Sequence, residues 1–276
     1  MPNFFDVEAV NYVQALHVER LERHIGNGCT QPLLALVKSE NEEFYAVVKT
    51  KNNIQGILSV VNEWISYNIA IELGILMPNS SIAIIDDKTD VGNFIDESNF
   101  GSCFCSQYIE KVGILNEVVM TLVDNKEIYE KIILFDHIIY NKDRNKGNLL
   151  VTTGKGQKLL YAIDHTHVFK NETIWDRFCL RQGMQEQDYL DKEILESNGY
   201  SLFMQSKNIT VESLKNQAKH FKEVITNEFL EEVMAKIPKD WNINNNDLEA
   251  LKEYLLYRVS HMDEMCEMIM DYKDRR

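Results

Sequence analysis

"IIYNKDRNKGNLLV", residues 138–151, sets Asp143, Arg144, two lysines (Lys142, Lys146) and three asparagines (Asn141, Asn145, Asn148) between two apolar runs. An apolar helical pattern leads into it, and the short strand Asn148-Leu149-Leu150-Val151 leads out. Polar groups between buried elements cost free energy unless they are partnered. Such a load in one short connection therefore implies either a dense local network or chemistry.

The spacing favours chemistry. Asp143 and Asn148 form D-x-x-x-x-N, the spacing of a protein-kinase catalytic loop, in which the Asp accepts a hydroxyl proton and the Asn holds a metal. The chain then makes the hairpin 148–164, "NLLVTTGKGQKLLYAID", turned at Gly154-Lys155-Gly156 and ending at Asp164. Asp164 and Asn148 offer hard oxygen ligands suited to magnesium. Upstream, Lys49 ends the strand-like "AVVKT", and Glu63 lies on the helical pattern 59–74, closed by Gly74. A lysine there reaches α- and β-phosphates, and a helical Glu orients it. Lys38 and Lys51 are rivals, but Lys38 sits beside a hairpin turn and Lys51 beyond the strand. The turn "GNGCTQP" (26–32), with Gly26, Asn27 and Gly28, offers backbone N–H groups to phosphate. Taken singly, each of these residues is an ordinary turn, cap or edge residue. Their order along the chain gives them weight.

Two other readings compete. Asp164, His165 and His167 ("DHTH"), with His137, suggest a zinc or iron site. In a strand, however, 165 and 167 share one face and 164 the other. Cys103 and Cys105 also share a strand face and read as packing residues. A nucleotide-binding module without catalysis is a further alternative, opposed by the intact set Lys49, Asp143, Asn148 and Asp164.

The rest of the chain bounds the class. Its 276 residues suffice for a large core, with 45% hydrophobic and 26% charged residues. A net charge of −14 argues against DNA or an anionic membrane as partner. No apolar run is long enough to span a bilayer, and the start shows no signal peptide. Five scattered cysteines without CxxC spacing fit free thiols in a reducing cytoplasm. Strand patterns at 15–25, 32–39, 44–50, 80–86 and 102–109 surround one helix. Long helical patterns follow at 116–141, 210–236 and 246–272. The expectation is an α+β fold of two lobes, a small β-rich one over 1–109 and a larger helical one over 110–276.

"FDHIIYNKDRNKGNLLV" followed by "LLYAIDHTHVF" resembles the HipA-like kinases, whose motifs run near N-x-D-R-x-x-x-N and I-D-H. "VNEWISYNIAIELGILMP" is similar to that family's N-E…A-x-x-L-G…P helix, and "GNGCTQP" to its glycine turn. The resemblance covers about residues 15–170. It implies an atypical protein-kinase fold that binds ATP and Mg2+ and phosphorylates a serine or threonine of a protein. It is shared in part with phosphoinositide kinases, so a small-molecule or lipid kinase is the alternative. By matching positions, Asp143 is the implied base, Asn148 and Asp164 the metal ligands, Lys49 the phosphate contact and Glu63 its partner. Gln107-Tyr108-Ile109 is the implied adenine hinge. Thr166 stands where a glycine is frequent, and Thr30 where some relatives carry an autophosphorylated serine. The chain reads as too short for the extra N-terminal subdomain of the full toxin kinases, so an antitoxin is a weaker expectation than ATP and an unidentified protein substrate. The polarity of 141–148 is then assigned to metal and phosphate, with Arg144 and Lys146 holding the loop or meeting phosphate.

Overall fold

The computed structural model describes residues 16–26, 30–206 and 209–275. Strands β1 (Leu16–His24), β2 (Leu33–Lys38) and β3 (Glu43–Lys49) run as an antiparallel meander. The β2–β3 turn is set by Ser39, whose N–H donates to Glu42 O (2.9 Å) and whose Oγ accepts from Asn41 N and Glu42 N. Helix α1 (Ile57–Glu72) follows, then β4 (Ser80–Ile85) and β5 (Gly101–Gln107). The five strands close into a barrel in the order β1-β2-β3-β5-β4, the last seam being a parallel β4–β1 pair. Period-2 alternation puts Leu33, Ala35, Val37, Ala46, Val48, Ala83, Cys103 and Cys105 inside it.

Helix α1 belongs to a different core. Val60, Val61, Trp64, Ile65, Ile69 and Leu73 pack with the helices that follow later in the chain. Gly74 ends it at φ 65°, where Gly74 N donates to Ile71 O and Ile75 N to Ala70 O, a glycine-terminated helix end.

The chain leaving the barrel enters a second sheet, in the order β6-β7-β8: β6 (Val112–Ile114), β7 (Leu149–Thr152) and β8 (Leu160–Ala162). Between β6 and β7 come α2 (Glu117–Leu122) and α3 (Ile128–Ile138). The single helical pattern expected over 116–141 is thus two helices. Residues 123–127 leave the helix to edge the hairpin: Asp124 N donates to Lys158 O, and Asn125 exchanges bonds with Leu160 N and O. Tertiary hydrogen bonds override local propensity there. After β8 come α4 (Arg177–Gln185), α5 (Tyr200–Phe203), α6 (Val211–Val224) and α7 (Asn227–Ala235), then α8 (Asn245–Ser260) and α9 (Met262–Asp274). The pattern 210–236 divides where Thr226 caps α7, and 246–272 divides at His261, which stacks on Tyr189.

The helical part also reaches back to the barrel. Trp241 Nε1 donates to Ser102 O (2.9 Å), Asp240 Oδ2 accepts from Ser102 N (2.8 Å), and Trp64 Nε1 on α1 donates to Val233 O (3.3 Å). No helix among the described residues is long and apolar enough to cross a membrane.

Candidate active site

Where the barrel meets the second sheet lies a cleft of about 450 Å³. Its apolar walls include Val47, Met77, Phe104 and Leu150, while Lys49, Glu63 and Asp164 stand on its polar side. The convergence follows from the elements. β3 ends on Lys49, α1 buries its Glu63 face toward the cleft, and β8 runs out at Asp164, which turns with φ 57°, a left-handed backbone that aspartate tolerates.

Lys49 Nζ donates to Glu63 Oε1, to Asp164 Oδ1 (2.8 Å) and to Thr166 Oγ1 (2.9 Å). Burial disfavours the Lys49 charge, but Asp164 and Glu63 outweigh it and raise its pKa. For Asp164, burial works against ionisation too, yet Lys49 holds the carboxyl well below the usual carboxylate range. Burial pushes Glu63 up, a push that Lys49 opposes and the Asp164 charge adds to. Asp164 is thus a standing anion, its side chain 37% exposed toward the cleft. The rival lysines lie elsewhere: Lys38 pairs with Glu43 (3.7 Å) and Lys51 with Asp240 (3.5 Å).

The loop after α3 is knitted inward. Arg144 is fully buried and doubly bonded to Asp136, Nε to Oδ2 and Nη2 to Oδ1, both 2.9 Å. Its Nη1 donates to Asn148 O (3.1 Å) and Ile163 O (3.0 Å), and its Nη2 to His165 Nε2 (2.7 Å). Asp136 also accepts from Asn141 Nδ2 and Tyr200 Oη. Arg144 therefore holds the loop, and its full burial removes it from any phosphate contact. Asn141 Oδ1 accepts from Asp143 N, and Asn145 caps the turn 146–148. From outside, Gly199 N and Ser197 Oγ donate to the Arg144 carbonyl, and Asn198 Oδ1 accepts from Lys146 N.

Asn148 and Asp164 are brought side by side, because Ile163 N donates to Asn148 O (3.0 Å). Asn148 Nδ2 donates to Asp143 O (2.9 Å), which fixes the amide's orientation. One amide oxygen and one carboxylate fit a hard divalent cation that completes its shell from phosphate oxygens and water. Among the described residues there is no cluster of three His, Cys, Asp or Glu able to hold a metal. The imagined histidine centre does not assemble. His137 Nδ1 bonds Ile133 O, His165 Nε2 accepts from Arg144, and His167 Nδ1 bonds Glu172 Oε2. Burial and then the Arg144 charge push His165 well below the ordinary histidine value, so it is neutral.

Gly26 (φ 61°) lines the cleft beside Ile25, whose N–H donates to Pro32 O; Asn27 and Gly28 lie outside the described residues. Thr30 is buried and faces a separate polar cavity at the barrel mouth. Gln107, Tyr108 and Ile109 line the cleft's other edge. Gln107 N is engaged by Asn79 O and Tyr108 N by Tyr45 O. Sequence reasoning did not find Asp136 as the carboxylate that holds Arg144, nor Tyr200 and Gly199, whose bonds to Asp136 and Arg144 span more than 50 residues. It noted Thr166 only as a departure from glycine.

The profile of the HipA-like kinase family matches residues 18–267, and the chain belongs to that family of kinases. A kinase of this family implies ATP and a divalent metal. The structure is similar to the Helicobacter pylori proinflammatory kinase CtkA, with a TM-score of 0.58, 12% identity, and coverage of 91% of this chain and 96% of that one. It is also similar to HipA of the Shewanella oneidensis MR-1 toxin–antitoxin complex with HipB and operator DNA (TM-score 0.46, 13% identity, 92% of this chain, 67% of that one). The search of curated proteins found no match.

Proposed function

We propose that the protein is an ATP- and magnesium-dependent kinase that transfers the γ-phosphate to a serine or threonine hydroxyl of a protein. The observation carrying this reading is the convergence of Lys49, Glu63 and Asp164 in one cleft bordered by the Asp143–Asn148 loop. Residues 1–109 form the ATP-binding lobe and 110–276 the catalytic lobe in this reading.

Adenine lies between the apolar walls from the barrel and Leu150. Since the Gln107 and Tyr108 N–H groups are engaged, Ile109 supplies the hinge donor. The turn at Gly26, with Asn27 and Gly28, and the Lys49 ammonium take the phosphates, while Glu63 fixes Lys49. Magnesium, when bound, supplies positive charge against the β- and γ-phosphate oxygens, and Asn148 Oδ1 and Asp164 would hold it. Asp143 accepts the acceptor hydroxyl's proton as the new O–Pγ bond forms. The bond from Pγ to the β-phosphate oxygen breaks, and ADP leaves. Cys103, Cys105, Cys179 and Cys266 are free thiols, which supports work in the reducing cytoplasm. DNA is not part of this proposal, given the acidic chain, and an antitoxin ranks as a partner below ATP and a protein substrate.

Calorimetric titration of ATP with and without magnesium, on wild type and Asp164→Asn, is the test. The reading requires magnesium-dependent binding that the substitution weakens; no binding by wild type at millimolar ATP would sink it.

A further inference from the structure

Helix α1 presents Asn62 and Glu63 side by side, both buried, to the segment that follows Asp164. Glu63 Oε1 accepts from His165 N (3.2 Å) and from the Thr166 hydroxyl (3.1 Å), besides Lys49. The same hydroxyl accepts from Lys49 Nζ (2.9 Å). Asn62 Nδ2 donates to Thr166 O (2.7 Å) and Glu172 O (3.0 Å), and its Oδ1 accepts from Trp175 Nε1 (2.8 Å). Thr166 is 1% exposed, so bulk solvent does not compete for these bonds.

We propose that Thr166 is a positioning residue: its hydroxyl ties the Lys49–Glu63 pair to the chain after Asp164, so that ordering of residues 165–175 and alignment of Lys49 are one event. This deepens the kinase reading and rests on it. A hydroxyl suits the place because it accepts from the ammonium and donates to the carboxylate at once. A methyl group there would face a buried cation and a buried anion with nothing to offer either. Asn62 works in the same direction one residue earlier on α1, holding the backbone of the segment at both ends.

The decisive comparison is Thr166→Val, which keeps the volume, against Thr166→Ser, which keeps the hydroxyl. With Thr166→Val, kcat should fall about tenfold or more while KM for ATP moves by less than about threefold, because the phosphates lose alignment and the adenine walls are untouched. Thr166→Ser should restore kcat to within about threefold of wild type. A second readout needs no activity. Hydrogen–deuterium exchange without nucleotide should rise in Thr166→Val both at 165–175 and around Lys49, and stay near wild type in Thr166→Ser. If Thr166→Val is not obtained folded, Thr166→Ala carries the same expectations. Exchange that rises in only one of the two segments overturns the coupling, as does a Thr166→Ser variant as impaired as Thr166→Val. A wild type that neither binds nor turns over ATP refutes the kinase reading alone, since the exchange result still decides the coupling.

Discussion

His137 offers a test of the loop's foundation that does not depend on any substrate. It sits fully buried in the last turn of α3, four residues before Asn141, whose side chain reaches back to Asp136. Its Nδ1–H donates to Ile133 O (2.8 Å), and its buried Nε2 has no hydrogen-bond partner among the described residues. The Arg258 guanidinium lies close by, donating to the His137 carbonyl. Burial, with Arg258 adding to it, pushes the imidazole down from 6.5 to about 4. The folded state therefore refuses a proton that the unfolded chain takes up. The stabilisation from a neutral His137 is complete above about pH 6.5, declines as pH falls, and is lost by about pH 4. That interval corresponds to about 3 kcal/mol, a large share of a typical domain's stability. The perturbation is His137→Gln, which keeps a donor for Ile133 O and removes the titration. Urea unfolding at about pH 7 and about pH 4.5 should show wild type losing roughly 2 kcal/mol more than the variant across that span. His165 titrates in the same direction and remains in both proteins, and the Asp164 contribution fades only below its unfolded value of 3.8, outside the window. Equal losses in the two proteins would refute a neutral, buried His137.

Three further outcomes follow from the site. Arg144→Met should cost about 3–5 kcal/mol, because it leaves Asp136 buried with only Asn141 and Tyr200; thermal unfolding reads this, and Asp136→Leu added to it should recover part of the loss. Lys49→Met should lower kcat by roughly 10²–10³-fold in a phosphotransfer assay, and a variant with wild-type kcat would remove Lys49 from the phosphates. Gly199→Ala should destabilise by about 1–3 kcal/mol and lower activity, since a Cβ there would clash with the Arg144 carbonyl oxygen; denaturant unfolding checks it.

The parts of the fold that the sequence made legible are those whose signals are local. Lys49 and Glu63 could be placed because period-2 and period-3.6 patterns define β3 and α1, and Gly74 marks the helix end. Asp143, Asn148 and Asp164 were legible through spacing within one loop and one hairpin. What escaped is non-local. The helix breaks at 123–127 and 225–226 carry no glycine or proline; the first is imposed by bonds to the β8 hairpin, and the second is fixed by the Thr226 cap. The closure of the barrel depends on a parallel pairing of β1 with β4, more than 60 residues apart, which no alternation pattern announces. Strand β6 and the run of short turns and helices between β8 and α6 are too brief for periodicity to register.

Arg144 is the instructive case, because its chemistry was legible and its direction was not. A guanidinium in a polar loop near a phosphate site suits phosphate, yet this one faces a buried carboxylate, two backbone carbonyls and an imidazole. The polarity of 141–148 therefore divides in two. Asn141 and Arg144 are buried and hold the loop's shape, Asn145 caps the turn and donates to the Asp143 carboxylate (3.1 Å), and Asp143 and Asn148 are the pair proposed for chemistry. The two groups should fail differently. Loss of a holding residue lowers stability first and turnover as a consequence, whereas loss of Asp143 or Asn148 lowers turnover in a protein that still folds. A loop that must aim two side chains at one phosphoryl group cannot rely on apolar packing to fix them, since its backbone groups need partners of their own. Buried hydrogen-bonding residues meet both needs, and this accounts for a connection between apolar elements that is almost entirely polar.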